Sequence, residues 1–154
     1  MRALIPIVLL TTGLVMAGTG EKSQLVSLGF GCVATDDDWL VTVTASGVDS
    51  FAGHIEPADG RWRVNWQTGL WEDLLQPTER NRVLSRTTEL IQGNQWPVGL
   101  VERDGKRHWV AGDGFVQFSI AESTPDATGL LTRIAGRYRH RTADMKCKPP
   151  VQQK

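Results

Sequence analysis

Three histidines and two cysteines are the residues in this 154-residue chain best suited to chemistry. The histidines are His54, His108 and His140, and none lies close in sequence to another or to Cys32 or Cys147. A zinc site draws on ligands at characteristic short spacings, so each histidine reads as a solvated surface or hairpin residue. A Ser-His-Asp triad meets in space and not in sequence. The G-x-S-x-G elbow that would mark its nucleophile does not occur. His54, His108 and Asp113 are the first candidates for a hydrolytic or ligand-binding site assembled only by the fold. Asp36-Asp37-Asp38 resembles a calcium loop, but Trp39 follows the third aspartate and the glycine and distal glutamate of an EF-hand are missing. A solvated turn is expected there. The sequence therefore assigns no catalytic residue, no metal and no cofactor.

The cysteines turn on location. The chain opens with Arg2, an apolar run from Ala3 to Met16, and Val15-Met16-Ala17. This is the pattern of a secretory leader cut after Ala17. The run is shorter than the roughly 20 residues that a spanning helix needs, so no membrane insertion is expected once residues 1–17 are removed. An exported chain, periplasmic or secreted, meets an oxidising compartment, where two cysteines pair. Cys32 and Cys147 are therefore expected to form a disulfide tying the first strands to the C-terminal tail. Gly29-Phe30-Gly31 does not supply a lipid-attachment box for Cys32. Lys+Arg and Asp+Glu both number 17, which gives nucleic acid or an anionic membrane no electrostatic purchase. The basic run Arg133, Arg137, Arg139, Arg141, Lys146 and Lys148 is read as complementing the end of a helix.

These residues need elements to hold them. Trp39 to Ala45 is rich in β-branched residues and alternates in character. In Arg61 to Gln67, Trp62, Val64 and Trp66 face one way and the polar residues the other. Val98–Arg103, Asp104-Gly105 and Lys106–Ala111 form a hairpin with a type I′ turn. Phe115 to Ile120 is a further strand. Leu70, Trp71, Leu74 and Leu75 fall at helical spacing before Pro77, and Val83 to Ile91 continue it, predicting one or two short central helices. Arg86 to Ile91 reads equally well as an edge strand. Thr124-Pro125-Asp126 starts a helix whose stripe is Ala127, Leu130, Leu131, Ile134, Ala135 and Tyr138. The expected fold is a single α+β domain, residues 18–154. A curved antiparallel sheet of six or seven strands carries the C-terminal helix on one face, and residues 149–154 form a loose tail.

Six tryptophans stand against one tyrosine. Trp39, Trp62, Trp66 and Trp71 lie on apolar faces and belong to the core. Trp96 sits in Gly93-Asn94-Gln95-Trp96-Pro97, read as a turn-rich loop. It either caps the sheet or is presented as a binding hot spot. Asn94, Gln95 and Trp96 are thus candidate partner-binding residues. Asp104, Arg107 and His108 at the hairpin tip, and Asp113 on an opposite rim, complete the set. The function expected from this frame is an exported protein-binding module, of the inhibitor or immunity type, that neutralises a toxic or cell-wall-degrading enzyme. It is not expected to be an enzyme itself. A small periplasmic hydrolase or ligand-binding protein is the alternative.

Overall fold

The strands alternate because one face must be buried, and that rule lays out most of the chain. The computed structural model describes residues 23–153; the expected leader, residues 1–17, lies outside the described residues. Nine strands precede the helix: β1 (Gln24–Ser27), β2 (Gly31–Thr35), β3 (Trp39–Ser46), β4 (Ser50–Pro57), β5 (Val64–Gly69), β6 (Asn81–Ile91), β7 (Asn94–Arg103), β8 (Lys106–Gly112) and β9 (Val116–Ala121). Helix α1 (Ala127–Arg137) follows, then β10 (Tyr138–His140) and β11 (Val151–Gln152). The main sheet has eight strands in the order β11-β3-β4-β5-β9-β8-β7-β6, and β1-β2-β10 form a second sheet of three. All pairings are antiparallel except β11 with β3.

The core lies between the main sheet and a layer made of α1 and the small sheet. Val64, Trp66, Phe118 and Ile120 from the sheet meet Leu28, Val33, Leu131 and Ile134 from that layer. Trp39 and Trp62 pack edge to face, with centroids 5.2 Å apart. Gly53 is required where β3 crosses β4, because a β-carbon there would overlap the Thr42 carbonyl and the Trp66 ring. Each of the large core side chains contributes roughly 1.5–3 kcal/mol through removal from water. A smaller cluster, Leu75, Val101 and Val110, forms on the other face of the sheet beneath residues 70–80.

The expected disulfide is present. Cys32 in β2 is bonded to Cys147, with their Cα atoms 6.3 Å apart. Lys148 reinforces the junction: its N–H donates to the Leu25 carbonyl at 2.8 Å, and its carbonyl accepts from the Ser27 N–H at 2.8 Å.

Antiparallel sheet with one C-terminal helix agrees with the expectation, but the details differ. The main sheet has eight strands, not six or seven, and α1 is the one helix among the described residues. The two central helices are replaced by a turn and a strand. At Asp73–Gln76, the Gln76 N–H donates to the Asp73 carbonyl at 3.1 Å. Residues 81–91 are the edge strand β6. Its pairing with β7 shifts register between Val83 and Ser85. That bulge moves the later side chains to the other face, and this disguised the period of two. Leu90 is left 72% exposed while Ile91 enters the core. The α1 start also differs, because Asp126 takes a left-handed conformation and makes no side-chain cap bond. Residues 149–153, expected as a loose tail, run along β3, and the Gln153 N–H donates to the Val43 carbonyl at 3.2 Å.

Candidate functional site

Antiparallel order brings the turns at one end of the main sheet together. The β3–β4 turn (Gly47 to Asp49), the end of β5 at Leu70, the β8–β9 turn (Asp113 to Phe115) and the β6–β7 turn (Gln92-Gly93) all lie there. The β1–β2 turn joins them from the small sheet, through Phe30. Its ring lies 5.6 Å from Phe51 and 5.5 Å from Phe115. Backbone bonds fix the group: the Leu70 N–H donates to the Asp49 carbonyl at 3.0 Å, and the Gly69 N–H to the Phe115 carbonyl at 2.7 Å. The buried Thr68 hydroxyl donates to the Leu28 carbonyl, holding the Phe30 turn against β5.

Several of the side chains carried on this end are apolar and exposed. Val48 is fully exposed, Leu70 is 73% exposed, and Phe115 and Phe30 are 42% and 36% exposed. Scattered exposed hydrophobics need no explanation, but a contiguous group marks an interaction site.

Beside this patch opens a cavity of about 300 Å³, lined among others by Asn94, Gln95, Trp96, Asp113, Tyr138 and His140. Trp96 is half-buried at the start of β7, and Tyr138 stands where α1 turns into β10. Their rings are near perpendicular, 88° apart with centroids 6.3 Å apart. Tyr138 meets His140 at 5.2 Å and 83°, and its hydroxyl lies 3.5 Å from His140 Nδ1. Gly31 makes room for it, since a β-carbon there would overlap the Tyr138 ring. Burial pushes the Tyr138 phenol up to about 12, and the negative charge of Asp113 adds to the shift. The hydroxyl therefore stays protonated and acts as a hydrogen-bonding group.

Four of the seven candidate partner residues meet in this cavity: Asn94, Gln95, Trp96 and Asp113. Trp96 is in a strand, not a loop. The connection is only Gln92 and Gly93, both at positive φ (49° and 80°). Asp104, Arg107 and His108 lie towards the far end of β7 and β8, roughly 17–27 Å away at strand rise. There Asp104 and Gly105 form the expected turn, with φ of 51° and 73°. Arg107 pairs with Glu102 at 3.3 Å and Glu122 at 3.9 Å. His108 is half-buried, and that burial lowers its pKa, helped by the charge of Lys106 and opposed by a hydrogen bond that the imidazole donates to the Lys106 backbone.

The fold does not assemble His54, His108 and Asp113 into one site; each lines a different cavity. His54 is also not a solvated surface residue. It is 8% exposed, with Nε2 3.4 Å from Glu56 Oε1, and Glu56 is held by Arg63 at 2.8 Å. Among the described residues no group of His, Cys, Asp and Glu is placed to hold a metal ion. No helix among them is long and apolar enough to cross a membrane.

Phe30, Phe115, Leu70 and Tyr138 were missed by sequence reasoning. Each phenylalanine follows a glycine in a turn, in Gly29-Phe30 and Gly114-Phe115, and an aromatic residue placed there is a usable signal. Tyr138 instead continues the apolar stripe of α1 and gives none. No model of a known protein family matches the chain, and a search of curated proteins finds no significant match.

Proposed function

We propose that this is an exported protein-binding module, of the inhibitor or immunity type, which neutralises a toxic or cell-wall-degrading enzyme by direct contact. The end of the main sheet carrying Phe30, Val48, Leu70 and Phe115 is its binding face. The observation that carries this reading is the gathering of exposed apolar side chains from separate turns beside an aromatic cavity. Exposed aromatic anchors around a pocket are the usual makings of an interface hot spot. The disulfide is compatible with an oxidising compartment such as the periplasm or the cell exterior. The leader expected from residues 1–17 fits the same destination.

The test is affinity capture with the full exported chain, from envelope extracts and from secretions of neighbouring cells. One stoichiometric partner is expected. Phe115→Asp or Leu70→Asp should weaken it at least about thirty-fold, the loss of a hot-spot residue. Arg107→Glu at the opposite end should leave binding nearly unchanged. Loss of binding on Arg107→Glu alone would move the face to the Asp104–His108 hairpin. Absence of any reproducible partner would count against the whole reading and favour a small-molecule site.

A further inference from the structure

We propose that the cavity between Trp96 and Tyr138 receives the cationic side chain, arginine or lysine, of a protein partner; this rests on the protein-binding reading above. Three features select a cation. The walls are aromatic: Trp96, Tyr138 and His140 line the cavity and meet one another edge to face, at 88° and 83°. An indole at a cavity wall is the best of the aromatic partners for a guanidinium or ammonium. The rim supplies a carboxylate. Oδ1 of Asp113 is fixed by the N–H groups of Phe115 at 2.8 Å and Val116 at 3.1 Å. Asp113 takes part in no ion pair among the described residues, so Oδ2 is available to an incoming donor.

The third feature is that Arg139, between the cavity residues Tyr138 and His140, is engaged elsewhere. Arg139 donates from Nη1 to the carbonyls of Gly136 and Tyr138, each at 2.7 Å, and from Nη2 to Gln92 Oε1 at 3.1 Å. Size fits as well. A cavity of about 300 Å³ sits at the lower limit for ligand pockets, which run from roughly 300 to 1,000 Å³. That is room for one long side chain and not for an extended ligand. An anionic group would face Asp113 directly, and a purely apolar one would strip water from that carboxylate without replacing its hydrogen bonds.

The test uses the whole protein, ¹⁵N-labelled, with the indole N–H signals of its six tryptophans followed by NMR. The probes are N-acetyl-arginine methylamide and its neutral counterpart, N-acetyl-norleucine methylamide. The arginine probe should move the Trp96 signal saturably at millimolar concentration, while the neutral probe should not. Asp113→Asn keeps the Oδ1 acceptor and so the turn, and should weaken the arginine probe about five-fold. Unmoved signals from the other tryptophans show that the variant is folded. Equal shifts with both probes, no shift with arginine, or indifference to Asp113→Asn would overturn the proposal. Partner capture on this face with no arginine response defeats the cation site alone. An arginine response with no protein partner leaves the site standing and defeats the protein-binding reading.

Discussion

Reducing the Cys32–Cys147 bond should cost this protein more stability than any single side-chain change outside the core. The two cysteines are separated by 115 residues, so the bond closes nearly the whole described chain into one loop. Loop-closure entropy for that length corresponds to about 5 kcal/mol at 25 °C, and measured bridges commonly fall at about 2–4. Native contacts reveal which state carries the effect. Lys148 is bonded to Leu25 and Ser27 through the backbone, and β11 is paired to β3. The C-terminal segment therefore keeps its place when the sulfurs separate, and the loss comes from the freed unfolded chain. Urea unfolding, followed by tryptophan fluorescence with and without reductant, measures it. With a slope of about 2 kcal/mol per molar, a loss of about 3–4 kcal/mol moves the midpoint down by about 1.5–2 M. The slope itself should rise as the unfolded ensemble expands. Cys147→Ser, at a half-buried position, should reproduce the reduced protein. A midpoint shift below about 0.5 M, or a Cys147→Ser variant as stable as the oxidised protein, would refute this account.

Tyr138 is the one tyrosine in the chain, so tyrosinate absorbance titrates it alone. The midpoint should fall at about 12 in the folded protein, against about 10 for a free phenol. The unfolded chain loses this proton first, so the stabilising contribution is intact below about pH 10 and is lost as the pH rises towards about 12. Asp113→Asn should lower the midpoint only part of the way, because burial is the larger cause; a midpoint near 10 in the folded protein would contradict the placement of the ring. Arg137 reaches from the end of α1 to Asp36 Oδ1 at 2.6 Å and lies over the Trp39 ring at 4.5 Å. Arg137→Ala should cost about 1–2 kcal/mol in urea unfolding, and Arg137→Lys about half of that, since the planar fork is lost while the charge remains. Variants within about 0.5 kcal/mol of the parent would show that this contact contributes nothing.

The parts of the fold that could be read from sequence are those where one local rule acts alone. Val64 and Trp66 alternate with polar neighbours because β5 separates core from solvent, and Trp62 just before it continues the buried face. Asp104-Gly105 announces its turn because positive φ at two successive residues is costly for most side chains. The disulfide was legible because two cysteines in a chain read as exported have one possible pairing. β6 was legible only as one of two readings, helix or edge strand, because an edge strand buries little and its bulge breaks the period of two. Trp96 was misread because the polar residues Asn94 and Gln95, which resemble a loop, are the exposed first residues of a ten-residue strand. Pro97 is tolerated within that strand although proline is commonest at edges, which made the loop reading easier. The binding end was legible only in fragments. Its residues come from turns far apart in sequence, and only the strand order reveals that Phe30, Leu70 and Phe115 are neighbours.

That strand order also bears on what the binding end can do. A surface made of loops pays entropy when it orders on a partner, and affinity suffers accordingly. Here the turns are short, and backbone bonds close them or tie them to a neighbour. Gly47 donates to Ser50 at 2.7 Å, Asp113 to Val116 at 3.0 Å and Arg141 to Phe30 at 3.3 Å, all through the backbone. The bond between Arg141 and Phe30 belongs to the same C-terminal stretch that Cys147 anchors to β2. The disulfide thus ties the C-terminal stretch to β2, within the layer that carries Phe30 and Tyr138. Lys148 and β11 hold that stretch through the backbone as well, so reduction should leave partner binding nearly unchanged under conditions where the chain is still folded. The pieces of the face belong to both layers, and the shared core beneath them holds one layer in register with the other.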